Sequence, residues 1–177
     1  IEASFVSQED VQQVVEAVIV AQWAEAGHTI PAPFLRMTHA DAVRRYGTDK
    51  PDLRYAIEIE DLSAHARPPA EFAETYRSLG GQVRGLRVPG GAVLSRKDLD
   101  ELSDAAKKLG KGAAPYYIKR KGDEYSGPGG KLFGDNVSAL GIKDGDILFT
   151  VVGKDDTMSV QLGQIRRDVI TKLTLPV

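Results

Sequence analysis

Cysteine is absent from the 177 residues, which excludes disulfide frameworks, thiolate metal sites and cysteine nucleophiles. Histidine is nearly as scarce. His28, His39 and His65 lie far apart, and none sits in a metal-ligand spacing such as H-E-x-x-H, so surface or capping roles account for them. No G-x-S-x-G elbow occurs, which removes the usual setting of a serine nucleophile. Neither sign of charge is in excess: 23 basic and 25 acidic side chains give a formal net charge of -2. Any nucleic-acid contact must therefore come from a local patch. No apolar run reaches the length of a membrane span. The first residues hold neither an initiator Met nor a basic leader, and we expect the chain to be cut from a longer polypeptide.

Hydrophobic residues make up 42% of the chain, enough for a buried core, and their spacing predicts the elements. Ile1 to Val6 reads as a short strand. Ser7-Gln-Glu-Asp10 is a helix cap, and Val11, Val14, Val15, Val18, Ile19 and Trp23 follow on one helical face ending near Gly27. Thr38-His-Ala-Asp41 opens a short helix that Gly47 stops. Arg54 to Asp61 alternates as a half-buried strand, with Ile57 and Ile59 on one side and Glu58 and Glu60 on the other.

Ala64 to Ala70 carries no periodicity and is the expected boundary. Beyond it, Phe72–Tyr76 and Val83–Val88 flank Gly80-Gly81; Ala and Glu in the first run also suit a helix, but the Gly-Gly turn signal favours a hairpin. Ser95-Arg-Lys-Asp98 caps a helix striped by Leu99, Leu102, Ala106 and Leu109. Pro115 to Arg120 reads as a strand, Lys131 to Leu140 as a weak helix, and Asp146 to Val152 as a central strand buried on both sides. A last helix carries Leu162, Ile165, Val169 and Leu173. Two long amphipathic helices against four strands predict a two-layer α+β sandwich.

Glycine loops give no cofactor signal. Gly127-Pro-Gly-Gly-Lys131 lacks both the spacing of a phosphate loop and the hydroxyl after its lysine, where Leu132 stands. Gly110-Lys-Gly112 lacks the third glycine of a dinucleotide fingerprint. Lys107, Lys108 and Lys111 end one helix, while Lys119, Arg120 and Lys121 end the next strand. The macrodipole explains the first group, and with Tyr116 and Tyr117 the two together form a modest candidate RNA patch. Arg44, Arg45, Asp49, Lys50, Asp52 and Arg54 crowd one junction. Those charges either pair to hold the loop or meet a phosphate or carboxylate ligand.

The run Arg45-Tyr-Gly-Thr-Asp-Lys-Pro-Asp-Leu-Arg54 resembles a segment of bacterial-type aspartyl-tRNA synthetases. Ile1-Glu-Ala-Ser-Phe-Val6 is similar to the strand closing class II motif 2 in that family. Leu86-Arg-Val-Pro-Gly-Gly91 and Asp144-Gly-Asp-Ile-Leu-Phe149 resemble landmarks of its inserted GAD domain. One departure is His39-Ala-Asp41, where the family usually has an aromatic residue and Glu. The resemblance implies an α+β chain in which 1–65 is a segment of class II catalytic core, 66–166 the GAD insertion domain, and 167–177 a return toward the core.

The function it implies is a part of an aspartate–tRNA ligase, which activates aspartate with ATP and transfers it to tRNA. The family's motif 2 arginine would precede Ile1 and its motif 3 would follow Val177, so the resemblance implies no catalytic residue here and no activity of this chain alone. It implies that Glu2 lies at the edge of the aspartate and ATP pocket, with no metal ligand, and within that reading the charge and position of Lys50 and Arg54 put them near the tRNA acceptor end. ATP and Mg²⁺ belong to the whole ligase, and this chain binds neither by itself. Partners are tRNA for aspartate, the remainder of the polypeptide and a second subunit, in the cytoplasm and away from membranes. A reading from another class is a non-catalytic tRNA- or protein-binding α+β module formed by the residues after Ala70.

Overall fold

A computed structural model describes residues 2–110, 114–154 and 156–175. The expected positions Ile1, Lys111, Gly112 and Val177 lie outside them. The chain forms two compact units, divided between Met37 and Thr38.

In the first unit, α1 runs Gln8–Glu25 behind the expected capping box. The Ser7 Oγ accepts the Asp10 N–H at 3.2 Å, and the Asp10 carboxylate accepts the Ser7 N–H at 2.8 Å. Gly27, with φ +81°, follows the helix end. The strand expected before α1 does not form. Residues 2–7 are irregular and Phe5 has φ 58°, because the described residues of this unit contain no strand to complete a ladder. Val11, Val14, Val15, Val18 and Trp23 share a face as expected but remain 44–49% exposed. The buried position is instead Glu16, whose carboxylate accepts the Phe34 N–H at 2.9 Å and pairs with Arg36 at 2.8 Å.

The second unit opens with α2, His39–Tyr46, and is built on a five-stranded antiparallel sheet. Its strands are β1 (Ile59–Asp61), β2 (Gln82–Val88), β3 (Tyr116–Lys121), β4 (Glu124–Ser126) and β5 (Ile147–Gly153), in the order β1-β2-β5-β3-β4. β5 is central and buried on both sides, as its run, apolar apart from Thr150, predicts. Side chains alternate across a strand, so β5 feeds two cores. Ile147, Phe149 and Val151 face α4 (Arg96–Leu109) and α5 (Thr157–Leu173), where Leu99, Leu102, Ala106, Leu162, Ile165 and Val169 close the layer. Leu148 and Val152 face the other way, onto Leu132, Phe133, Leu140 and Ile142. Register fixes this pairing: Leu86 lies opposite Phe149 and Ile118 opposite Leu148.

The helix-on-sheet α+β arrangement is thus as expected, with a thinner cover on the second face, made of short turns and of Phe72 and Tyr76 from the helix Ala70–Ser78. Several elements of this unit differ from expectation. Phe72–Tyr76 belongs to helix α3, Ala70–Ser78, and not to a hairpin strand. Gly80-Gly81 ends that helix: the Gly81 N–H donates to Tyr76 O and the Gly80 N–H to Arg77 O, both at 3.0 Å, with both glycines at positive φ. Second, the strand at Arg54–Asp61 shrinks to Ile59–Asp61, because the carbonyls before it bond to a side chain instead of a neighbouring strand. Third, Lys131–Leu140 forms two 3₁₀ segments, Pro128–Leu132 and Gly134–Leu140, and Glu124–Ser126 adds an unexpected edge strand.

Candidate functional site

The charged junction is assembled where α2 ends against α5. Gly47 caps α2 in the left-handed region at φ 70°. A Cβ there would lie 1.9 Å from the Ser159 carbonyl and 2.7 Å from the Gly163 Cα, so the backbones meet directly. From Thr48 to Glu58 the chain forms an irregular loop whose charges find separate partners. Arg44 pairs with Asp41 at 2.7 Å. Arg45 grips Glu58 with both arms of its fork, at 2.8 and 2.6 Å. Arg54 donates twice to Asp52, at 2.9 and 2.7 Å. Lys50 and Asp49 are exposed, and among the described residues neither makes an ion pair.

The organising residue is one that the sequence reading missed. Arg166, in α5, is 2% exposed. Its Nε donates to Ile57 O at 2.7 Å, and its Nη2 donates to Asp52 O at 2.7 Å and Tyr55 O at 2.9 Å. Its guanidinium lies 5.2 Å from the centroid of the Tyr46 ring, as does that of Arg45. The Tyr46 hydroxyl donates to Glu58 at 3.1 Å, which ties α2 to the end of the loop. A signal existed in the sequence: Ser159, Gly163 and Arg166 recur at helical spacing beside the apolar stripe, and small residues there mark a close crossing.

These contacts set the protonation states. The hydrogen bonds that Arg45 donates hold Glu58 below the ordinary carboxylate range, and the same bonds raise Arg45. Burial, then Glu58, pushes the Tyr46 hydroxyl up. Burial lowers Arg166. The hydrogen bonds from Arg54 draw Asp52 down to about 2. A carboxylate lowered on folding stabilises the fold above its unfolded pKa, and that contribution fades as pH falls through the folded value. The Asp52 carboxyl is therefore expected to titrate near pH 2 by NMR, and to move back toward about 3.9 in Arg54→Ala. An unchanged midpoint in that variant would show that the pair does not form.

Beside the loop, a groove of about 500 Å³ is lined by Asp52, Arg54, Tyr55, Arg167, Thr171 and Leu175, among others. Lys50 and Arg54, two of the expected site residues, share this loop. Glu2 lies exposed in the first unit. The candidate RNA patch largely dissolves: Lys119 donates to Leu94 O, and Arg120 donates to Ile142 O at 2.9 Å and Gly122 O at 2.8 Å. Tyr116 and Tyr117 pack into opposite cores. No group of three or more metal-ligating side chains converges among the described residues.

An antiparallel sheet with paired helices, running from α3 into α5, defines the class. The GAD domain family matches residues 72–162, more than half of the chain, and the chain belongs to that family. Similarity over nearly the whole chain narrows this further. It is 39% identical over 176 residues to an aspartate–tRNA(Asp/Asn) ligase of a Nocardioides species, covering 96% of this chain and 29% of the relative. It is 38% identical to aspartate–tRNA ligases of Geobacillus kaustophilus, over 94% of this chain, and Xanthomonas campestris, over 93%. The resemblance to bacterial aspartyl-tRNA synthetases is borne out, and the chain spans about 29% of these relatives' length.

Proposed function

We propose that this chain is part of an aspartate–tRNA ligase, which activates aspartate with ATP and transfers it to tRNA, and that it supplies core scaffold and the insertion domain. The observation that carries this reading is the similarity to such ligases along almost the whole chain, charged loop included. In this reading residues 1–65 are a segment of class II catalytic core, 66–166 the GAD insertion, and 167–177 the return. ATP and Mg²⁺ serve the whole ligase through residues outside this chain. Its partners are tRNA, the rest of the polypeptide and a second subunit, in the cytoplasm. Among the described residues no helix is long and apolar enough to cross a membrane.

Within this proposal Lys50 and Arg54 meet the tRNA acceptor end, and Glu2 borders the aspartate and ATP pocket. Two features support the first assignment. Lys50 is exposed and makes no ion pair among the described residues, and Arg54 is 64% exposed in a surface pair that a phosphate can displace. In the full-length ligase, Lys50→Glu is expected to raise the KM for tRNA about tenfold, as loss of one phosphate contact does, and the KM for ATP less than about twofold. Steady-state aminoacylation separates the two. Equal rises in both would sink the assignment.

A further inference from the structure

We propose that Arg166 is a positioning residue through which α5, the helix that leaves the GAD domain, fixes the loop carrying Lys50 and Arg54. The proposal rests on the tRNA contact assigned to that loop for its functional meaning, and on geometry for the rest. Three carbonyls from a six-residue stretch, those of Asp52, Tyr55 and Ile57, converge on one guanidinium. They do so only because the loop curls round it, replacing the strand partners those carbonyls lack. No carboxylate lies within ion-pairing distance of Arg166 among the described residues, so the loop carbonyls and the Tyr46 ring, helped by the more distant Asp52 and Glu58 charges, are what make its burial tolerable. Opening the loop breaks all three bonds and returns the guanidinium to water. Loop closure and arginine burial are therefore one event.

The helix also connects the loop to the sheet. Residues 157–162 of α5 lie within the matched GAD region, and Arg166 lies one turn beyond it. Along one face, Ser159 takes a hydrogen bond from Arg84 of β2 and donates to Arg44 O at 3.4 Å. Gly163 meets Gly47, and Arg166 follows. A shift of α5 against the sheet would carry the three carbonyls with it. On this account the insertion domain sets the loop's position and is no passive spacer.

Hydrogen exchange on the 177-residue chain tests the clamp. Arg166→Met removes every donor and is expected to speed exchange of the amides in 48–58 about a hundredfold; Arg166→Lys, which keeps the charge but loses the fork, about tenfold. Amides of β2 and β5 should keep their rates in both. If Arg166→Met does not fold, Arg166→Lys decides alone. Unchanged loop rates in the lysine variant, or equal acceleration in the sheet, overturn the proposal. In the full-length ligase the lysine variant is expected to raise the KM for tRNA several-fold, with aspartate-dependent ATP–pyrophosphate exchange within about twofold. A loosened loop with unchanged tRNA KM, in an enzyme where Lys50→Glu raises it, overturns the coupling. A loosened loop where Lys50→Glu also has no effect condemns the tRNA contact and leaves the clamp standing.

Discussion

Gly163→Ala is expected to destabilise the chain by on the order of 3 kcal/mol, although the same change in an ordinary helix interior gains about 1 kcal/mol. The reversal of sign comes from the crossing with α2. A Cβ on Gly163 would stand 2.7 Å from both Tyr46 O and Gly47 O, and 2.8 Å from the Gly47 Cα. All three are backbone atoms at a helix end, so no rotamer change relieves the contact. α2 must move away from α5, and Tyr46 then leaves the Arg166 guanidinium it packs against. Equilibrium urea unfolding of the wild-type chain and the variant measures the loss. A variant as stable as wild type would mean that the two backbones do not touch. Gly47→Ala provides the harsher companion, because it adds a left-handed residue at φ 70° to the same collision.

How much of this was legible in the sequence depended on whether the deciding interaction was local. Ser7, Thr38 and Ser95 announced their helices because a cap needs only the residues that follow it, and all three side chains accept the expected N–H. β5 was legible from its near-continuous apolar run and α5 from apolar periodicity. Gly80-Gly81 misled because two positive-φ residues serve a hairpin turn and a helix terminator equally well. The choice was made by Tyr76, whose carbonyl takes the Gly81 N–H and whose hydroxyl donates to Gly81 O at 2.5 Å. The strand from Arg54 failed for a non-local reason: Arg166, more than a hundred positions away, claims carbonyls that a ladder would have used. The charged residues of the loop were correctly gathered from sequence. The Asp52–Arg54 pair lies inside that set, but Glu58, the partner of Arg45, and Arg166, which holds the loop carbonyls, were not gathered with it, since α2 and α5 must cross before they reach the loop.

Phe133→Ala should prove the most damaging single truncation on the far face of the sheet, with an expected loss of about 3–5 kcal/mol. On that face α3 supplies only partly buried side chains, Phe72 and Tyr76, so large residues on short turns fill its fully buried interior. Phe133 is 0% exposed and joins Leu62, Leu132, Leu140, Ile142, Leu148 and Val152 in one cluster. Its backbone is committed as well: its N–H donates to Gly130 O at 3.1 Å, and its carbonyl accepts from Asn136 at 3.0 Å. The two 3₁₀ segments meet at this residue, and their poorer hydrogen bonding gives them little stability apart from the side chains they bury. Removing the ring leaves a cavity that these short turns cannot span without breaking those bonds. Phe133→Leu, which keeps most of the volume, should cost only about 1–1.5 kcal/mol. Urea midpoints test both, and a loss below about 1 kcal/mol in the alanine variant would mean that this layer is not packed against β5. Hydrogen exchange adds a spatial check. In the alanine variant, local opening at 128–140 should rise relative to the loop at 48–58, because Arg166 grips that loop from the opposite side of the sheet.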